Sequence, residues 1–326
     1  MSAPKAPSGS YVALCGGIGG AKLALGLAKT LPPDKLTVVV NTGDDFELLG
    51  LHISPDIDTM LYTLAGLANR EQGWGLEGET WGFMEALGPL NGPTWFRLGD
   101  RDLATHVLRT HMLEDHLKLS AVTRELAGRL GVKAAVVPMS DSPVATLVDT
   151  EEGALAFQDY FVRRQCEPRV RSIRCIGAET AVPAPAVHAA LAAPDLAGII
   201  VCPSNPWLSI DPMLAIPGLR KALLDRRAPV VAVSPLVGGE AVKGPTAKIM
   251  RELGVALTQA SIAAHYHGLL DGLMLDLVDA SEAHALGLPV EVTATVMRSL
   301  EDRMALAEAA IAFCARLRTA TSESRS

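Results

Sequence analysis

The sequence predicts an α/β protein built around a parallel sheet, with a helical segment inserted after the second strand. Two observations lead there. Residues 11–14, 16–20, 21–31 and 36–40 read in succession as a short apolar strand, a glycine loop, a helix stopped by Pro32 and Pro33, and a β-branched strand of the kind covered on both faces, which together make one βαβ unit. Buried-type runs at 198–202 and 229–233 flank a helix at 218–227 and repeat the alternation. With 326 residues, 49% of them hydrophobic, the chain can bury one large core or two moderate ones.

Residues 1–9, rich in Pro, Ser and Gly, read as a flexible arm ahead of a single domain spanning 10–326. From Thr59 to about residue 130 helical periodicity dominates, interrupted around Trp74 to Gly82 and at 91–100, which gives a helical insertion over the sheet edge. Strands resume at 133–137, 145–148 and 154–157, and a long amphipathic helix over 292–317 closes the chain. The apolar stretch 11–28 is interrupted by glycines and Lys22, so it reads as neither a signal segment nor a span, and the protein is expected to be soluble with no membrane partner. The cysteines at 15, 166, 175, 202 and 314 form no CxxC pair, which fits a reducing cytoplasm. A formal charge of −7, the lack of a basic run and an aromatic content of 4% argue against a nucleic-acid partner.

Five short motifs carry the chemistry. GGIGGAK (16–22) follows a strand and opens a helix: Gly16, Gly17, Gly19 and Gly20 let backbone amides approach a phosphate without an intervening Cβ, and the helix N-terminus adds its dipole, with Lys22 close by. It is neither a full GxGxxG nor a Walker A, and the second strand ends in Asn41 where a dinucleotide site wants an acid. NTGDD (41–45) places Asp44 and Asp45 at a strand end, where paired carboxylates suit a hard cation such as Mg²⁺; an Asx turn is the plainer reading. In SPDIDT (54–59) Asp56 reads as a helix cap or first-turn acid, and Asp58 as a residue within reach of a substrate. RLGDRD (97–102) reads as a solvated turn or cap. CPSNP (202–206) stiffens a turn that presents Ser204 and Asn205, and with the loops at 234–239 and 243–246 it resembles a nucleotide cradle. His106, His111 and His116 recur every five residues and so do not share a helix face, which speaks against a zinc site.

In order and at these separations, GGIGGAK, NTGDD, SPDIDT, RLGDRD, CPSNPWLSIDP and VSPLVGGEAVKGP resemble the 2-phospho-L-lactate transferases that build the deazaflavin coenzyme of methanogens and actinobacteria, over nearly the whole chain. The resemblance implies a Rossmann-like core, a homodimer, and transfer of a phospho-hydroxyacid from a guanosine diphosphate-linked donor to the terminal ribityl hydroxyl of the deazaflavin Fo, with release of GMP. It implies Mg²⁺ at Asp44 and Asp45, contacts to Fo from Asp58 and Arg97, and the glycine loop, Ser204 and Asn205 on the nucleotide side. Asp44 or Asp58 would orient or deprotonate the attacking hydroxyl. Trp207 stands where the pattern leads us to expect a smaller aliphatic or Thr. A non-catalytic nucleotide-sugar sensor of related fold is the alternative, although Phe46-Glu47-Leu48-Leu49 follows the acidic pair where such a protein should carry Gly and Ser. A nicotinamide oxidoreductase is a second one, opposed by the missing third glycine and ribose-binding acid.

Overall fold

The computed structural model describes residues 9–242 and 244–323. The expected N-terminal arm therefore lies, apart from Gly9, outside the described residues, as does Lys243 of the 243–246 loop. Seven parallel strands form one sheet: β1 (Ser10–Cys15), β2 (Leu36–Val40), β3 (Ala135–Pro138), β4 (Leu196–Val201), β5 (Val230–Val233), β6 (Gly272–Leu275) and β7 (Val290–Val292). Their spatial order is β3-β2-β1-β4-β5-β6-β7, the doubly wound order of a Rossmann-like fold. Leu14 of β1 sits in register with Val39 on one side and Val201 on the other.

Both faces of the sheet are covered, which is why its strands read as near-continuous apolar runs. Alternate residues Ala13, Cys15, Val38, Val40 and Ile200 face helices α1 (Gly17–Thr30), α2 (Pro55–Ala65), the later helix of the insertion and the closing helix Leu300–Glu323. Val12, Leu14, Val39, Ile199 and Val201 face the other layer, which contains the helices Pro185–Leu191, Pro217–Leu224, Thr246–Glu252 and Gln259–His265. The insertion contributes α2, α3 (Gly82–Leu87), α4 (Asp100–Glu114) and α5 (Leu119–Arg129). Among the described residues no helix is long and apolar enough to cross a membrane.

Several expected elements sit differently. Helix α1 starts at Gly17 and not after Gly20: the glycines form its first turn, with Gly17 at φ +61°, a conformation open to it because it has no Cβ. Helix α2 starts at Pro55, four residues before Thr59, because proline is well suited to the first helical position. A hairpin, Phe46–Leu48 with Leu51–Ile53, fills the gap between the acidic pair and α2. Of the three strands expected after the insertion only the first joins the parallel sheet. Residues 145–150 and 153–156 turn back on each other at Glu151–Glu152 and pair with Val170–Ile176 in a separate antiparallel sheet, as a two-residue turn requires. The closing helix begins at Leu300 because Val290–Val292 pairs as the edge strand β7.

Helix α1 lies against the closing helix through Gly26, where an added Cβ would run into the backbone oxygen of Arg303. Gly26→Val should cost about 1–3 kcal/mol by forcing the two helices apart. Chemical denaturation of the variant beside the wild type measures it, and an unchanged midpoint would show that the pair tolerates separation.

Candidate active site

The strand order reverses between β1 and β4, and this opens a crevice beyond their C-terminal ends where doubly wound sheets bind ligands. Two chain exits meet there. Ser204, just past β4, accepts a hydrogen bond from Gly16 N (3.1 Å) and donates one to Gly16 O (2.8 Å). A Cβ on Gly19 would strike Pro203 O, and one on Gly20 would lie 2.8 Å from Ser204 Oγ. The glycines therefore let the first turn of α1 sit directly on the β4 exit. Asn205 carries the same junction further: its Oδ1 accepts from Trp207 N and Leu208 N, and its Nδ2 donates to Thr246 Oγ1 at 3.0 Å, tying in the loop after β5. Trp207 is buried against His265, ring centroids 4.7 Å apart, so it packs the layer behind the crevice.

Asn41, at the end of β2, organises the carboxylates. Its Nδ2 lies 3.1 Å from both Asp44 Oδ1 and Asp56 Oδ2, and its Oδ1 accepts from Gly43 N. Asp56 is more than a cap for its own helix, since its Oδ1 accepts from Gly17 N at 2.7 Å and so pins the glycine turn. Asp45 turns away from Asp44 toward the hairpin, where Ser54 Oγ donates to its Oδ2 (2.7 Å) and His52 Nε2 lies 3.3 Å away. Its Oδ1 is buried without a partner. Burial raises the proton affinity of all three acids. Asp44 rises well above the usual carboxylate range through burial first and then the charges of Asp56 and Asp45. Asp45 is raised by burial against the opposing pull of His52. Burial pushes Asp56 up to about 7, despite the hydrogen bonds from Asn41 and Gly17.

A second network lies behind Asp58. The fully buried Arg109 of α4 grips both Asp58 oxygens, Nη1 to Oδ2 at 3.1 Å and Nη2 to Oδ1. Nη1 also faces His106 Nδ1 at 3.3 Å. The other ring nitrogen, His106 Nε2, lies 3.3 Å from Asp102 Oδ2. The Tyr62 hydroxyl donates to Asp102 Oδ1. Burial works to raise the Asp102 carboxyl, but His106 and Tyr62 outweigh it and hold it below the ordinary range. Among the described residues, Asp58, Asp102 and His106 are the group spaced to hold a metal ion, with ligand atoms within 4.8 Å of one another.

These parts line one cavity of about 830 Å³. Gly16, Gly17, Gly19, Lys22, Asp44, Asp58, Arg97, Ser204 and Asn205 all border it; Gly20 and Asp45 stand outside its lining. Lys22 reaches Met297 O at 3.2 Å on the far wall. An aromatic part of the wall is supplied by Trp74, Trp95, Phe96, Phe157 and Phe161. Arg97 is exposed, its guanidinium 3.9 Å from the Trp81 ring centroid.

Sequence reasoning missed Asp56, Tyr62, Asp102, His106, Arg109 and the aromatic wall. One signal was present. Asp102, His106 and Arg109 follow i, i+4, i+7 spacing and so share a face of α4, while His111 and His116 are exposed. The cap reading of RLGDRD holds for Asp100, whose carboxylate accepts from Gly82 N and Phe83 N at the start of α3.

A family model described as 2-phospho-L-lactate transferase CofD matches residues 11–295. A phosphoenolpyruvate transferase of Streptomyces griseus subsp. griseus is 43% identical over 309 residues, covering 92% of this chain and 96% of its own. A 2-phospho-L-lactate transferase of Methanosarcina mazei is 38% identical over 296 residues, covering 90% of this chain and 96% of its own. In fold the chain is similar to a crystal structure of a UPF0052-family protein from Bacillus halodurans, with a TM-score of 0.61 at 16% identity over 93% of this chain and 99% of that one.

A carboxyl raised in the folded state holds a proton that the unfolded chain releases near pH 4, so the stability it supports falls as pH rises from about 4 to about 7. Asp56→Asn should flatten this part of the profile, while losing one of the two hydrogen bonds that the carboxylate accepts from Gly17 N and Asn41 Nδ2. Melting temperatures of both proteins between pH 5 and 8 measure the difference, and parallel profiles would place the Asp56 carboxyl in the ordinary range.

Proposed function

The chain belongs to the 2-phospho-L-lactate transferase family, and on that footing we propose that it transfers a phospho-hydroxyacid from its guanosine diphosphate-linked donor to the terminal ribityl hydroxyl of the deazaflavin Fo. The observation that carries the reading is the crevice between β1 and β4, where a glycine turn, Ser204, Asn205 and buried acids border one cavity with an aromatic wall. Its volume, about 830 Å³, suits a nucleotide together with a flat acceptor. In the proposed step the ribityl oxygen bonds to the β-phosphorus as the bond from that phosphorus to the bridging oxygen breaks. GMP leaves with the bridging oxygen, and the hydroxyl proton passes to a carboxylate, Asp44 or Asp58.

Phosphoryl transfer needs positioning and neutralised charge more than covalent help. The glycine turn, Lys22, Ser204 and Asn205 serve the donor, and Asp58, Arg97 and the aromatic wall serve Fo. Asp44, a buried acid of raised proton affinity, borders the cavity, and Asp45, outside the lining, carries a buried Oδ1 with no partner; a hard cation suits such a pair. We assign Mg²⁺ to them in preference to the Asp58, Asp102 and His106 group, because Arg109 already neutralises both Asp58 oxygens. Bound Mg²⁺ supplies charge neutralisation on the diphosphate. The Streptomyces relative at 43% identity makes phosphoenolpyruvate the expected donor acid. The nucleotide-sugar sensor draws no support from these relatives, whose names are those of transferases.

Asp44→Asn and Asp45→Asn should each lower turnover by about tenfold or more, most sharply at limiting Mg²⁺. Steady-state rates across a Mg²⁺ titration check this, and full activity in both variants would remove the metal from these residues. Asp58→Ala and Arg97→Ala should raise the Michaelis constant for Fo, or lower turnover, while GDP affinity by calorimetry stays near that of the wild type. A GDP defect of equal size would move these residues to the donor side. Mass spectrometry of the product formed from Fo and each donor reads the acid directly: the enolpyruvyl product is expected, and turnover of the phospholactyl donor alone would overturn that choice.

A further inference from the structure

We propose that Arg109 is a positioning residue for the acceptor, fixing the Asp58 carboxylate at the cavity wall through a fork that no other cation can replace. The inference rests on the reading of Asp58 as facing Fo. Arg109 does not border the cavity, yet it is 0% exposed and spends its donors on three elements at once. Nη1 and Nη2 take both Asp58 oxygens on α2. Nη1 also reaches His52 O at 3.3 Å in the hairpin and His106 Nδ1 at 3.3 Å on α4 itself. The neighbouring Thr110 holds the same hairpin residue from its other side, accepting from His52 N at 2.8 Å. The His52 ring in turn lies on Asp45 Oδ2. One turn of α4 thus orients Asp58 directly and Asp45 through His52.

A buried ion pair is an expensive way to fill space, since well-packed apolar residues of similar volume in place of both partners are often neutral or stabilising. Its retention follows if the carboxylate must be both charged and immobile. Held by two parallel N–H donors, Asp58 cannot rotate about χ2 without breaking one of them, so the oxygen edge it shows the cavity is fixed before a substrate arrives. Lysine would keep the charge and lose the fork, because its ammonium presents donors from a single point on a flexible stem.

The test compares wild type, Arg109→Lys and Arg109→Gln, with Fo and GDP binding measured separately by calorimetry and the steady-state constants for Fo measured beside them. The expected result is a loss of about tenfold or more in kcat/KM for Fo in Arg109→Lys, a larger loss in Arg109→Gln, and GDP affinity within about twofold of wild type in both. In the Asp58→Asn background, Arg109→Lys should add little to the acceptor defect, because the arginine acts through that carboxylate. Wild-type acceptor constants in Arg109→Lys would overturn the proposal. So would loss of GDP binding in both variants, since the arginine would then serve the fold alone, or full additivity with Asp58→Asn. Failure of the wild type itself to bind Fo would overturn the functional reading and this inference with it, whereas Fo binding that survives only in the wild type, with GDP binding kept in all three proteins, supports both.

Discussion

Carboxylates buried at the open end of a parallel sheet impose the constraint around which this site is arranged. Removing an acid from water is costly unless something compensates the charge, and four acids gather here within a few turns of chain. Each is met differently. Asp58 is matched by the Arg109 fork, and Asp56 by Asn41 and the Gly17 amide. Asp45 has Ser54 and His52 on one oxygen and nothing on the other. Asp44 has Asn41 alone among side chains, and feels the charges of Asp56 and Asp45 besides. The demand for positive charge is therefore uneven, satisfied behind Asp58 and open around Asp44 and Asp45.

The fold produces that arrangement with few parts. Strand β1 ends in a turn whose missing Cβ atoms admit the β4 exit, and the Ser204 hydroxyl bonds that turn in both directions. Strand β2 leads directly into Asn41, two residues before Gly43, whose own lack of a Cβ leaves Thr146 Oγ1 and Pro212 Cβ room to pack on the acidic loop. The antiparallel sheet outside the core then delivers Phe157, Gln158 and Phe161 to the same cavity, with Gln158 Nε2 donating to Asp44 O at 3.2 Å. Backbone amides and hydroxyls, buried acids and aromatic rings thus share one cavity, and in the proposed function the first group takes the donor and the rings the acceptor. Such a division lets binding energy from both substrates be spent on bringing an oxygen and a phosphorus together.

What the sequence revealed follows from how local each signal is. The βαβ unit, the glycine turn, NTGDD and CPSNP are contiguous strings whose placement at strand ends follows from periodicity, and in the structure Asp44, Ser204 and the first glycines do line one cavity. Asp56 was legible only as a helix-start acid, because its bonds to Gly17 and Asn41 span 39 and 15 residues and leave no trace in local pattern. The Arg109 network was hidden for a related reason: a charged residue on a helix reads as solvent-facing unless its partners at i−3 and i−7 are recognised as the buried face. The strands at 145–156 look like core strands in isolation, and only pairing with Val170–Ile176, whose exposure alternates, reveals a separate sheet.

In the proposed function Asp44 and Asp45 provide the cation site while Arg109 closes the alternative one. A crystal structure of the protein with GDP and Mn²⁺, read by anomalous scattering, tests it most directly. The metal peak is expected beside Asp44 and Asp45 and the diphosphate over the Gly16–Gly20 turn, with the Arg109–Asp58 pair intact. A metal peak bounded by Asp58, Asp102 and His106, with the Arg109 side chain displaced, would contradict it.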